Sequence, residues 1–98
     1  RAEDPGGTEG MKFTIARLCG GAALMAVPQE EFELDMEKAA EAIGRMGHAI
    51  KQKDEMMVVF MWGDIEATLY VQGKVMFFPL ENKSQCIEYA TSVLESIM

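Results

Sequence analysis

The fold is decided by residues 56–78, which read MMVVFMW, GD, IEATLYV, QGK and VMFF in succession. Three apolar runs of strand length alternate here with two short turns, and each turn contains a glycine. Runs of this length joined by such short turns are typical of neighbouring antiparallel strands. We therefore expect a three-stranded antiparallel meander in this part of the chain.

The central strand of the meander should bury one face only, because apolar and polar side chains alternate along it. Its apolar face consists of Ile65, Ala67, Leu69 and Val71. Its other face consists of Glu66, Thr68 and Tyr70. The strands on either side, 56–62 and 75–78, do not alternate, and both of their faces are apolar. The meander thus carries more apolar surface than one layer of helices can cover.

Two helices are expected, one on each side of the meander in the sequence. Residues 35–46 place apolar side chains at helical spacing, with Asp35 as the N-cap and Gly47 as a left-handed stop. After the meander, Asn82 and Gln85 resemble a capping box, and apolar residues recur at helical spacing from there to the C-terminus.

Further strands are expected outside the meander. Residues 12–18 alternate in the manner of a strand, and residues 48–53 have the pattern of a short edge strand. The segment 22–27 is either another short strand or an apolar loop. The predicted fold class is α+β: an antiparallel β-sheet of about five strands with two α-helices packed on one face, in the order β-(loop)-α-β-β-β-β-α.

The side of the sheet that the helices leave uncovered is the predicted interaction surface. The residues expected to form it are Thr68, Tyr70, Met76, Phe78, Phe60 and Trp62. An apolar patch of roughly 300–600 Å² or more is at or beyond the upper end of what a monomer exposes. In the alternative interpretation, the segment 19–32 folds over this face and covers it. Trp62 itself is either a half-buried turn residue or a contact anchor.

Composition limits the classes of function that the chain can have. Its 98 residues form at most one domain, 49 % of them are hydrophobic, and the net charge is −7. A general nucleic-acid binder needs a positively charged surface, so this charge argues against nucleic acid as a partner. No apolar run approaches the roughly 20 residues that a membrane-spanning helix needs, and no membrane association is expected.

The N-terminus and the cysteines suggest where the domain begins and where it resides. Residues 1–10 lack an apolar period, so we expect a disordered leader or expression scar there and a single α+β domain over 11–98. The two cysteines, Cys19 and Cys86, form neither a disulfide framework nor a metal cluster. With no secretory signal pattern in view, a cytoplasmic location is expected.

No group of residues in the sequence has the pattern of a catalytic site. A Cys–His nucleophile would need Cys19 and His48 in hydrogen-bond contact, and nothing in their spacing predicts it. The acidic run at 30–35, EEFELD, is explained by its favourable interaction with the dipole of the helix that follows. We therefore predict a protein that is not an enzyme and has no catalytic residues, metal or cofactor.

The segment 68–78, TLYVQGKVMFF, resembles the fourth and fifth strands of one repeat of the TATA-box-binding protein fold. The order of strand, helix region, four-stranded meander and helix also resembles that fold, and the likeness covers most of residues 12–98. The resemblance implies that Tyr70 stands where the family has a phenylalanine that wedges into DNA, and that Lys53 lies near the partner wedge position. Pro79 replaces a glycine of the family.

The resemblance implies the fold more than the DNA-binding function. The family's DNA-binding protein has two tandem repeats, whereas this chain has room for one, and a homodimer would rebuild the pair. DNA bending by that family needs apolar wedges together with basic flanks. This chain keeps the apolar face and lacks the positive charge. Single repeats of this fold also occur as accessory modules of other proteins.

Two functions are compatible with the sequence. The first is a small non-enzymatic interaction module that pairs through an apolar open sheet face, as a homodimer or with another protein. The alternative is a small-molecule or nucleic-acid binding domain that uses the same face, with Glu66, Thr68 and Tyr70 as its polar groups. The partner or ligand is not specified by any motif.

Overall fold

The computed structural model describes residues 12–30 and 32–97. Its elements in chain order are β1 Phe13–Leu18, β2 Ala23–Pro28, α1 Met36–Arg45, β3 Ile50–Lys53, β4 Met57–Trp62, β5 Ile65–Tyr70, β6 Val75–Phe78 and α2 Lys83–Ile97. A short 3₁₀ turn, Cys19–Gly21, joins β1 to β2. The predicted leader, residues 1–10, lies outside the described residues.

All six strands form one antiparallel sheet in the order β1-β2-β6-β5-β4-β3. The predicted α+β class is confirmed, with one strand more than the sequence indicated. The additional strand is β2, which the sequence left undecided between strand and loop. Its backbone pairs with β1 on one side and with β6 on the other, and these long-range pairings fix its strand conformation.

The two helices pack against the same face of the sheet and against each other. At the start of α1 the Asp35 carboxylate accepts a hydrogen bond from the N–H of Glu37 at 3.1 Å, and Gly47 follows the helix at φ 93°. At the start of α2 the side-chain oxygen of Asn82 accepts one from the N–H of Gln85 at 2.9 Å. The predicted helix starts and the glycine stop are confirmed. Neither helix is long and apolar enough to cross a membrane.

The core lies between the helices and the sheet face that they pack on, which we call the covered face. Its largest fully buried side chains from the sheet are Leu24, Val58, Phe60, Leu69, Val75 and Phe77. The helices contribute Ile43, Cys86, Val93 and Leu94, which are also fully buried. Burial of this apolar area is the main force that holds the sheet and the two helices together. The predicted core side of β5 is confirmed, since Ala67 and Leu69 are both fully buried.

The segment before α1 runs beside the end of β5. The N–H of Phe32 donates to the carbonyl of Gln72 at 3.3 Å, and the N–H of Leu34 donates to that of Val71 at 2.9 Å. Because residues 23–28 are a strand of the sheet and Phe32 is held at its end, the alternative interpretation, in which the segment 19–32 covers the opposite face, is wrong. That segment extends the sheet instead.

Candidate functional site

The face of the sheet opposite the helices, which we call the open face, is the candidate functional site. Antiparallel partner residues point to the same side of a sheet, so the register fixes which residues belong to it. From β1 and β2 the open face contains Thr14, Ala16, Leu18, Ala23, Met25 and Val27. From β4, β5 and β6 it contains Met57, Val59, Met61, Glu66, Thr68, Tyr70, Met76 and Phe78.

A row of cross-strand neighbours runs across the middle of the open face. Through the strand pairings it consists of Ala16, Met25, Met76, Thr68, Val59 and Gln52. Thr68 is only 4 % exposed, because its short side chain is flanked by longer ones on both neighbouring strands. The row is therefore apolar over most of its length, and its one central hydroxyl is largely shielded.

The open face is accessible as well as apolar. Phe78 is 44 % exposed. Its partly exposed neighbours are Met25, Val27, Met57, Val59, Met61, Tyr70 and Met76. With strands about 4.8 Å apart and same-face residues about 6.8 Å apart, the area over β2, β6, β5 and β4 is roughly 350 Å². An apolar patch of this size is as large as the largest patch on a typical monomer, and such patches are often functional.

The charged groups of the open face already have partners within the protein. Lys51 Nζ lies 2.7 Å from Glu66 Oε2, and this ion pair connects β3 to β5 across β4. Lys74 Nζ lies 5.6 Å from the centre of the Tyr70 ring, which is a cation–π distance. Lysines held in this way offer less attraction to a phosphate backbone than free lysines would.

Four of the six predicted interaction residues, Thr68, Tyr70, Met76 and Phe78, lie together on the open face. Phe60 and Trp62 do not, and this part of the prediction is wrong as to placement. The pairing of Val59 with Thr68 turns the even-numbered residues of β4 towards the helices. Since β4 is apolar on both faces, its own pattern holds no signal for which face is buried.

Trp62 belongs to an aromatic cluster at the border of the core. Its ring centre is 6.4 Å from that of Phe77 and 5.9 Å from that of Tyr89. The His48 ring stacks on it at 4.7 Å, with 21° between the two planes. His48 thus has a packing role. The side chain of Cys19, the other residue of the Cys–His pair considered above, lies outside what the structure describes.

Sequence reasoning missed the contribution of β1 and β2 to the open face. Met25 pairs with Met76, which extends the apolar row by two strands beyond the meander. The only available signal was that the run 22–27 has no polar residue, as expected of a strand with neighbours on both sides. That signal does not distinguish a strand from an apolar loop.

Among the residues that the structure describes, the remaining reactive groups do not assemble into a chemical site. Within residues 12–30 and 32–97 no three His, Cys, Asp or Glu side chains are grouped so that they could hold a metal ion. Burial raises the pKa of the Cys86 thiol to about 11, so it stays protonated and a poor nucleophile at neutral pH. An open groove of about 420 Å³ beside the start of α1 is lined by Asp35, Met36, Glu37, Lys53, Asp54 and Glu55.

Comparisons of the chain with family models, curated proteins and solved structures find no match. The resemblance to a repeat of the TATA-box-binding protein fold therefore stays a prediction. Within residues 12–30 and 32–97, the geometry defines an α+β fold whose single sheet has one face covered by helices and one apolar face that these residues leave open.

Proposed function

We propose that this chain is a small non-enzymatic interaction module that binds a protein partner through its open face. The observation that carries the proposal is the row across the sheet on the side away from the helices, which is apolar over most of its length. Apolar area buried from water contributes about 25 cal/mol per Å², so covering this face favours association, before the cost of bringing two molecules together is subtracted. The proposal includes a cytoplasmic location, where Cys19 and Cys86 stay reduced.

The distribution of methionine supports a role in contact rather than in the core. The open face carries Met25, Met57, Met61 and Met76. The paired covered-face positions of β2, β4, β5 and β6 carry Val, Leu, Ala, Phe, Ile, Pro and Trp, with no methionine in those strands. Methionine is flexible and polarisable, and it is common on surfaces that adapt to a partner.

The proposal is tested by placing a charge in the open face. Phe78→Glu should weaken at least tenfold the part of the association that forms through the open face, because a charge would be buried there without a partner. Sedimentation velocity over the micromolar to millimolar range measures it. Ile87→Glu is the matched control, since Ile87 is an apolar α2 residue of similar exposure, 38 % against 44 %. It should leave association unchanged. Both variants should keep the wild-type circular dichroism spectrum.

A second measurement tests whether the open face is accessible to a partner other than a second copy of this chain. The dye anilinonaphthalene sulfonate should bind the native protein, and Met76→Glu should reduce this binding whereas Ile87→Glu should not. A wild-type protein that is monomeric at millimolar concentration and does not bind the dye would contradict the proposal. So would a Phe78→Glu variant that unfolds, because Phe78 would then be a core residue.

The competing hypothesis is that the same face binds nucleic acid. The net charge of −7 and the internal pairing of Lys51 with Glu66 argue against it. A duplex-binding assay at low salt decides the matter, since low salt strengthens every phosphate contact. Binding that falls steeply as salt is added, and that Tyr70→Ala weakens, would replace the protein-interaction proposal with the nucleic-acid one.

A further inference from the structure

The two edges of the sheet differ in how well they are protected against pairing with another chain. An exposed edge strand presents unpaired N–H and C=O groups unless charges, prolines or bulges block it. The β3 edge has four residues, two of them lysines, and a register shift between Ile50 and Gln52. The β1 edge has six residues in an uninterrupted register with β2, and Arg17 is its one charged residue.

The backbone groups that point outward from β1 follow from one hydrogen bond. The N–H of Gln29 donates to the carbonyl of Lys12 at 3.0 Å. In an antiparallel pair, hydrogen-bonded and non-hydrogen-bonded positions alternate, so the even-numbered residues of β1 bond to β2. The N–H and C=O groups of Phe13, Ile15 and Arg17 therefore point away from the sheet. Pro28, which has no N–H to give, sits opposite Phe13, where no bond to β1 is needed.

We infer that β1 is a homodimerisation edge, at which two copies of this chain pair antiparallel about a two-fold axis through Ile15. In this register Phe13 of one copy faces Arg17 of the other, and Ile15 faces its own counterpart. Each facing pair exchanges two backbone hydrogen bonds. All three side chains lie on the covered face, so the guanidinium of Arg17 is next to an aromatic ring and no like charges are opposed.

The same pairing is unfavourable at the other edge. An antiparallel self-pairing of β3 would bring Lys51 and Lys53 of two copies together, and like charges in neighbouring positions repel. The occupant of the β1 edge is thus a second copy, because in this register each Arg17 faces Phe13 of the other copy and the outward N–H and C=O groups of the two strands meet.

Pairing at β1 uses none of the open-face residues, but it increases the open-face area that is available to a partner. A two-fold axis perpendicular to the sheet keeps both open faces on one side of a continuous twelve-stranded sheet. One open face supplies roughly 350 Å², less than half of the about 800 Å² per partner that a stable interface buries. Two joined faces supply roughly 700 Å², which approaches that size. The dimer would therefore bind a protein that the single copy holds weakly.

Amide hydrogen exchange followed by NMR tests the inference residue by residue. The amides of Thr14, Ala16 and Leu18 should be protected at every concentration, because they bond to β2. The amides of Phe13, Ile15 and Arg17 should gain at least tenfold in protection between micromolar and millimolar protein. Pairing through the open face alone would leave these outward amides unprotected, so the two interfaces are distinguished.

Variants at one position give the matched control. Ile15→Pro removes an outward N–H without touching a bond to β2, and it should raise the dimer dissociation constant at least tenfold. Ile15→Ala also removes the isoleucine side chain but keeps the backbone N–H. This variant should still dimerise. If Ile15→Pro unfolds, Ile15→Lys replaces it, since it opposes two like charges across the axis. Phe78→Glu should leave the concentration-dependent protection of the Phe13, Ile15 and Arg17 amides unchanged, although it weakens association through the open face.

Three results would overturn the inference. Outward amides that stay unprotected at millimolar protein would exclude pairing at this edge. Protection that does not depend on concentration would mean that residues of the same chain cover the edge. A dimer that Phe78→Glu abolishes and Ile15→Pro does not would assign self-association to the open face instead.

Discussion

The covered face and the open face of the sheet are both largely apolar, and they differ mainly in whether helices pack on them. On β6, Phe77 points to the helices and is fully buried, whereas Phe78 points away and is 44 % exposed. On β4, Val58 and Phe60 are fully buried, whereas Val59 between them is only partly buried. The comparison shows that the helices decide which side of an apolar strand becomes the core and which becomes a contact surface.

The largest expected effect is the difference between two neighbouring phenylalanines. Phe77→Ala should destabilise the protein by about 3–5 kcal/mol, because it leaves a cavity in the core. Phe78→Ala should cost less than about 1 kcal/mol, since an exposed side chain loses little on truncation. Urea denaturation of the two variants measures both values. Equal costs would mean that the open face is as well covered as the other one.

The pKa of the Cys86 thiol reports how well water is excluded from the core between the helices and the covered face. Burial raises the pKa of its thiol from 9.0 to about 11, so the unfolded chain loses this proton at lower pH than the folded one. The folded protein should therefore lose on the order of 2 kcal/mol of stability as pH rises from 9.0 to 11, and nothing below that range. Urea denaturation across this pH range measures it.

The control is Cys86→Ala, which should show a shallower loss of stability over the same range. The difference between the variant and the wild type is the quantity of interest, because it isolates the contribution of this one thiol. A variant with the wild-type pH dependence would mean that water reaches this thiol in the folded protein.

Two glycines in left-handed conformation test how tightly Phe32 packs against the turn between β5 and β6. At Gly73, with φ 99°, an added Cβ would come within 2.6 Å of the Phe32 ring, whereas at Gly63, with φ 64°, it would meet nothing within 4 Å. Both alanine variants should lower the free energy of unfolding by about 1 kcal/mol, because alanine is strained in the left-handed backbone conformation. Gly73→Ala should cost about 1 kcal/mol more, because Phe32 must move. Equal melting temperatures would indicate that Phe32 is not held there.

The smallest expected effect belongs to the ion pair on the open face. Both side chains are well exposed, at 53 % for Lys51 and 37 % for Glu66, so water and salt screen their attraction. A double-mutant cycle with Lys51→Ala and Glu66→Ala should give a coupling of about 0.2–1 kcal/mol that falls as salt is added. A coupling well above this range would show that a partner covers the pair in solution.

Much of the fold could be predicted because its signals are local. Asp35 and Asn82 mark helix starts through hydrogen bonds to N–H groups two or three residues away, and the glycines at 47 and 73 adopt backbone conformations that other residues rarely do. β5 could be oriented because its polar and apolar residues alternate. The open face was predicted in part, through the positions that pair with β5.

The sequence by itself determined that this protein has more apolar strand surface than two helices can cover, and it oriented β5. Only the tertiary structure decided that Phe60 and Trp62 face the helices, that β2 joins the sheet, and that β1 is one of its two edge strands. The physical reason is that β4 and β2 have no alternation of their own. Their orientation is set by backbone hydrogen bonds and side-chain contacts with strands distant in sequence, which no local pattern encodes.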